Sequence, residues 1–417
     1  MTQVTNSKVT VIVGGGHAGG RAAAALRAAG RMDPIIIVGE EPYAPYERPP
    51  LSKSVLSGMA EPDATAIHPC LYYSENGIDL KLNTRVERIS PETCRVWLQD
   101  GTSIAYHQLL LCTGARPRRL RIPGAESNRV TYLRTRDDAV LLRQQLTKGK
   151  RLAVIGGGLI GLEVAATASK LGCDVCVFEA DDILLRRLQV PTLSELVHSL
   201  HQRHGVHVVT QSTISSFAES PTAISVRFDN GTSRSFDLVL AGIGVVPETG
   251  LAERAGIACA DGILVNEYCE TSIPGIFAAG DVARRRDSDD ELNERLETWQ
   301  NAEEQASAAA ASMTGQRIAY RPIPYIWTDQ FDTHMQFAGR TAGTEEIIER
   351  GKQDNDKLLR IFLCDDKVVA VLGLNSPRDF AMARRLIGAN TAQFDRVGLD
   401  DERINLKSIV SAYLKAR

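Results

Sequence analysis

"VIVGGGHAGG", Val11 to Gly20, and "AVIGGGLIGL", Ala153 to Leu162, decide the fold of this chain. From Lys8 an apolar strand meets the first glycine turn. "HAGGRAAAALRAAG" then predicts an alanine-rich helix closed by Gly30, and "PIIIVGEE" a second strand ending at Glu40, 26 residues after Gly14. Strand, glycine turn, helix, strand and terminal acid together make a dinucleotide-binding βαβ unit. The second stretch is as complete, with Gly156, Gly158 and Gly161, a helix, the strand "CDVCVF" and terminal Glu179. In both, the glycines (Gly14, Gly16 and Gly19 in the first) let backbone approach a pyrophosphate. The helix N-terminus supplies free amides and partial positive charge. A carboxylate at Glu179 accepts from a ribose diol and repels a 2′-phosphate. With "EADD" and no arginine following, NADH is expected over NADPH. Two cradles imply two dinucleotides bound together, one a hydride donor and the other a held flavin.

The rest of the chain is consistent with a multidomain α/β protein. It has 417 residues, 43% hydrophobic and 24% charged, and a net charge of 48 − 51 = −3, a balance that argues against nucleic-acid binding. The polar start "MTQVTNSK" and the short run "VTVIV" suit neither a signal peptide nor a membrane span, so a cytoplasmic protein is expected. Eight scattered cysteines suit a reducing compartment. Cys173 and Cys176 lie about 10 Å apart if "GCDVCVFEA" is a strand, too far for a disulfide, and read as small core residues. No metal site is expected. After Glu40 an extended loop is expected, then strands with a hairpin turn at Asp100-Gly101. The second unit likewise carries a meander, turning at Asn230-Gly231. Near the C-terminus "KLLRIFLCDDKVVAVLGLN" reads as two strands about an Asp-Asp turn, and "SPRDFAMARRLIGAN" as an amphipathic helix with Pro377 in its first turn.

More specific stretches occur in a fixed order: "RPPLSK" (48–53), "TGARPR" (113–118), "GGGLIGLEVAA", "AGIGVVPET" (241–249), "IFAAGDVA" (276–283) and "YIWTDQFD" (325–332). On these the chain resembles, over nearly its whole length, the oxygenase-coupled ferredoxin reductases. The resemblance implies a glutathione-reductase-like flavoprotein: an FAD domain from residues 1–115 and 241–324, an NADH domain from 116–240, and a C-terminal α+β domain from 325–417. It implies hydride transfer from NADH to FAD, then single electrons to a [2Fe–2S] ferredoxin serving a monooxygenase or dioxygenase.

Carried over residue by residue, the resemblance makes Asp281 the acid for the ribityl chain. Lys53 lies near the flavin ring with Glu163 fixing it, and Trp299 and Trp327 are aromatic neighbours of the ring. Arg134 contacts the FAD phosphates, with Arg136 an ordinary surface charge. Ala18 and Val86 make apolar or backbone contacts, and Arg48, Thr113 and Gly114 complete the FAD set begun by the first glycine turn and Glu40. Leu159, Ile160, Gly242 and Gly244 join the second glycine turn around NAD. Thr298, where many relatives carry His, and the Tyr325-Ile326 pair depart from the family pattern near the presumed flavin edge. Arg284, Arg285 and Arg286 form a basic run that either steers an acidic ferredoxin or is a solvated loop. Three alternatives stay open: thiol-dependent NADH oxidases and disulfide reductases, for which "EEPYAPYERPPLSK" lacks the cysteine; a redox-sensing module of the apoptosis-inducing-factor type; and reduction of a small organic acceptor.

Overall fold

Val11, Ile12 and Val13 are all buried, as a strand covered on both faces requires. In the computed structural model, which describes residues 8–286, 295–352, 357–401 and 403–416, this run is the centre of a parallel sheet. The chain divides into two units by contact. One comprises Met1–Pro50, Glu61–Arg116 and Val245–Pro322; the other comprises Leu51–Ala60, Pro117–Gly244 and Ile323–Arg417.

In the first unit the sheet runs Ile276–Ala278, Gln108–Leu111, Thr10–Val13, Ile35–Val38, Ile78–Lys81, all parallel. Ile12 faces one core with the helices His17–Ala28 and Trp299–Met313, which pack together through Ala22, Ala23, Ala306 and Ala309. Val11 and Val13 face the other, beneath the meander Val86–Ser90, Arg95–Leu98, Ser103–Ala105. Its turn carries Gly101 at φ +81°. Where an extended loop is expected after Glu40, the chain instead forms short helical turns at Ser54–Ser57, Pro62–Thr65 and Cys70–Glu75.

In the second unit a parallel sheet runs His207–Val209, Asp174–Phe178, Arg151–Ile155, Leu238–Ala241, Val130–Thr131. Its meander turns at Gly231, φ +82°. Cys173 and Cys176 are buried free thiols. The C-terminal part is a five-stranded antiparallel sheet, ordered Tyr325–Gln330, Thr333–Gly339, Lys367–Leu374, Lys357–Cys364, Glu346–Lys352. Asp365 and Asp366 both take the left-handed conformation that a two-residue hairpin needs. The helix over "SPRDFAMARRLIGAN" is shorter than expected. It spans Pro377–Ala383, because Gly388 N–H and Ala389 C=O bond back to Val368 and pull the chain onto the sheet. No helix among the described residues is long and apolar enough to cross a membrane.

Candidate functional site

The first glycine turn is built for backbone approach. A Cβ on Gly14, at φ +117°, would fall 2.1 Å from the Cys112 carbonyl oxygen, and one on Gly19 2.0 Å from that of Gly14. Gly16 caps the helix His17–Ala28 with no side-chain acceptor, leaving first-turn amides for an anion. Arg48 reaches this turn, its Nη2 3.9 Å from where Gly16 would place a Cβ. It is aimed by Glu41 (2.9 Å) and the Tyr46 hydroxyl (3.0 Å), which itself donates to Glu41 at 2.6 Å. Sequence reasoning missed Glu41 and Tyr46. The signal was an acid and a phenol preceding "ERPP" in "EPYAPYERPP". Glu40 is exposed and bonded to Arg85, in contrast to its counterpart in the second unit.

Ala18 packs where a Cβ on Gly280 would stand, 2.9 Å away, so Asp281 follows directly on the helix's first turn. Trp299 opens the helix behind it, its ring centroid 5.1 Å from that of His17. Thr298 has a definite role as the N-cap, accepting from Asn301 N–H at 3.1 Å. His17 Nε2 lies 3.0 Å from Glu303, but burial, reinforced by Arg21, pushes the imidazole down to about 4. The contact is a hydrogen bond from a neutral ring, not an ion pair. Thr113 donates to the Glu248 carbonyl at 2.8 Å, Gly114 turns at φ +68°, and Val86 is buried in the apolar core.

The second glycine turn repeats the construction. A Cβ on Gly156 would lie 2.5 Å from the Gly242 oxygen, and one on Gly161 2.4 Å from that of Gly156. Gly158 caps without a side chain, Leu159 is half-buried and Ile160 exposed beside the open amides, and Gly244 turns at φ +92°. Glu179 accepts from Gly157 N–H at 2.6 Å and Asp181 N–H at 2.9 Å, which sets its carboxylate at the turn. Arg134 sits in this unit, its N–H bonded to Asp138 in the capping box of the helix Arg136–Gln145. The reading of Arg136 as a surface charge is corrected: it is buried in the first turn of that helix, which packs on Ser54–Ser57.

Also in the second unit, Lys53 and Glu163 form a buried pair, Nζ to Oε1 2.7 Å, with side-chain exposures of 17% and 7%. Glu163 lies on the helix Leu159–Lys170, against which the strand Tyr325–Gln330 packs. That strand contributes the Thr328 hydroxyl, donating to Oε1 at 2.7 Å, and the Trp327 ring, whose centroid is 4.8 Å from Lys53 Nζ. Ser52 donates to Oε2 at 2.5 Å. A buried carboxylate survives only with such partners. Ser52, Thr328 and, behind them, Gln330 and His201 escaped sequence reasoning. Their signal is Thr328 and Gln330 at alternate positions of a strand, where an inward face ordinarily carries apolar residues. Tyr325 turns away to Phe380 and Arg384.

Arg284 and Arg285 are not in a loop. They belong to the strand Ala283–Arg285, paired with Leu264 and Val265, and are half-buried, while Arg286 is exposed. Cys112, whose carbonyl meets the first glycine turn, is buried, and its thiol is pushed far above the usual thiol range by that burial. A thiolate nucleophile is therefore disfavoured there.

Comparison with known proteins agrees with this geometry. Residues 8–306 match the family described as pyridine nucleotide-disulphide oxidoreductase, and residues 325–410 match the reductase C-terminal family. Rhodocoxin reductase of Rhodococcus erythropolis is 38% identical, over 90% of this chain and 88% of its own. The anthranilate 1,2-dioxygenase system ferredoxin–NAD(+) reductase component of Burkholderia cepacia is also 38% identical, over 96% and 98%. Among solved structures, that of the covalent putidaredoxin reductase–putidaredoxin complex superposes with a TM-score of 0.91 at 36% identity, covering 98% of this chain and 99% of the other.

Proposed function

The chain belongs to the pyridine nucleotide-disulphide oxidoreductase family, and from that premise we propose that it is an NADH:ferredoxin reductase. It takes hydride from NADH onto FAD and passes electrons singly to a [2Fe–2S] ferredoxin that supplies an oxygenase. The observation that carries this is that a relative matching over 96% of the chain is named as the ferredoxin–NAD(+) reductase component of a dioxygenase system.

The residues fit the two dinucleotides. Each cradle has glycines whose Cβ would strike backbone, and a helix N-terminus with no side-chain cap. FAD belongs to the first, where Gly14, Gly16, Gly19, Ala18, Arg48, Asp281 and Trp299 gather. NADH belongs to the second, where Gly156, Gly158, Gly161 and Glu179 gather. Bound flavin supplies the step between a two-electron donor and a one-electron acceptor. Arg48 neutralises phosphate charge, and Glu179 rejects a 2′-phosphate. Glu163 holds the Lys53 ammonium beside the flavin ring, where a cation favours the electron-rich reduced form. Trp327 shields that ammonium from water. Exposed Arg286 and its strand neighbours Arg284 and Arg285 attract an acidic ferredoxin. The free, scattered thiols support a cytoplasmic location.

The test is NADH-dependent cytochrome c reduction by the purified protein, with and without an added [2Fe–2S] ferredoxin from an oxygenase system. Large stimulation by ferredoxin is expected. Rapid flavin reduction that no such ferredoxin stimulates points to a small-molecule acceptor. Slow reduction with a persistent long-wavelength band points to a redox-sensing module.

A further inference from the structure

The chemistry of Glu163 fixes the direction of every hydrogen bond behind it. A carboxylate only accepts, so Thr328, with one hydroxyl proton, gives it to Glu163. Thr328 Oγ1 is then left to accept from Gln330, 3.1 Å away, which turns the amide nitrogen toward Thr328 and its oxygen outward. That oxygen lies 2.8 Å from His201 Nε2, which must carry the ring proton. His201 Nδ1 is therefore bare, and it is buried with no hydrogen-bond partner among the described residues, a place where an N–H would be an orphan donor. The imidazole is fully buried on the helix Pro191–Arg203, and burial keeps it neutral, pushed down to about 4. His198, on its own helix, and His204, just past that helix's end, face it. The Phe331 ring crosses it edge-on, with Lys170 bonded to the Phe331 carbonyl and Asp332 3.8 Å from His204.

We propose that His201 is a positioning residue for the Lys53–Glu163 pair. The one-way chain His201→Gln330→Thr328→Glu163 fixes the amide, then the hydroxyl, then the carboxylate against which Lys53 stands over Trp327. Thr328 and Gln330 share one face of their strand, and all the links lie within one unit of the fold. The consequence for the flavin rests on the function proposed above, whereas the positional claim does not.

The test uses the flavin-loaded full chain and four variants: His201→Leu, Thr328→Val, the double variant, and His201→Gln, whose amide places an N–H near the original Nε2. Two quantities are read: the rate of Lys53 acylation by an amine-reactive ester, by peptide mass spectrometry, and the flavin midpoint potential. Lys53 acylation is expected to rise several-fold in each single variant, to rise no further in the double because the links are in series, and to return to the parent rate in His201→Gln. Lys170, which lies outside the chain of bonds, keeps its rate throughout. The midpoint falls in step, by about 30 mV for each tenfold loss in the equilibrium for two-electron reduction. Unchanged Lys53 acylation in the single variants, additive effects in the double, or a matching rise at Lys170 overturns the proposal. Faster Lys53 acylation with an unmoved midpoint supports the positioning chain and overturns the placement of Lys53 beside the flavin. Thr328→Val removes one hydroxyl at nearly constant shape and carries the test alone if His201→Leu does not fold.

Discussion

Replacing Glu163 by Gln removes a charge while keeping nearly every hydrogen bond. The amide oxygen can take the Oε1 position, accepting from Lys53 and Thr328, and the amide nitrogen can donate to Ser52 once its hydroxyl rotates. What remains is an ammonium without a counter-charge. Breaking a buried pair from one side costs about 3–5 kcal/mol. Lys53 keeps 17% of its side chain in solvent and the face of Trp327, worth about 1 kcal/mol to a cation, so about 3 kcal/mol is expected. Lys53→Met should cost more, because the stranded carboxylate is the more buried partner and keeps, among the described residues, two hydroxyl donors. The double variant Lys53→Met/Glu163→Leu should cost less than the sum of the singles. The assay is denaturant unfolding of the flavin-loaded protein followed by tryptophan fluorescence. A Glu163→Gln loss under about 1 kcal/mol, the range of solvated pairs, or strict additivity in the double variant would refute the reasoning.

Two further outcomes are expected. His17 and His201 titrate near 4 in the folded protein against about 6.5 unfolded, so the unfolded chain binds more protons between those values and stability falls as pH drops from about 6.5 to 4. Each contributes up to about 3 kcal/mol at the acid end, offset in part by Glu303, whose carboxyl burial raises; melting against pH should show the decline, and His201→Gln should flatten it. Gly156→Ala drives a Cβ into the Gly242 carbonyl at a left-handed φ; the protein should keep its yellow colour and lose NADH binding, measured by titration of the oxidised flavoprotein.

The two glycine turns were legible because their chemistry is backbone chemistry: a missing Cβ is visible in sequence, and so is the carbonyl it spares. The hairpins at Asp100-Gly101, Asn230-Gly231 and Asp365-Asp366 were legible for the same local reason. Lys53, Glu163 and Trp327 were legible only through resemblance, since nothing in their spacing pairs residues so far apart. His201 and Gln330 could not be read at all. A histidine on an amphipathic helix and a glutamine on a strand each have ordinary surface explanations, and only the strand's packing on Leu159–Lys170 removes them. The acids ending the two second strands look equivalent in sequence, yet Glu179 bonds the glycine turn and Glu40 an exposed arginine. That difference depends on side-chain neighbours contributed by distant segments.

The short segment Leu51–Ala60 groups with residues that begin only at Pro117, more than fifty positions further on. Ser52 and Glu163 are 111 residues apart, and Glu163 and Thr328 are 165 apart. On the ribosome, then, the carboxylate waits: its last hydroxyl donor is synthesised only after both parallel sheets have emerged. Long-range closures of this kind slow folding and leave intermediates exposed. The order of synthesis makes the charge pair a late closure: a chain truncated before the C-terminal strands keeps Lys53 and Ser52 on Glu163 but lacks the Thr328 hydroxyl, the Trp327 ring and the strand that packs on the helix Leu159–Lys170.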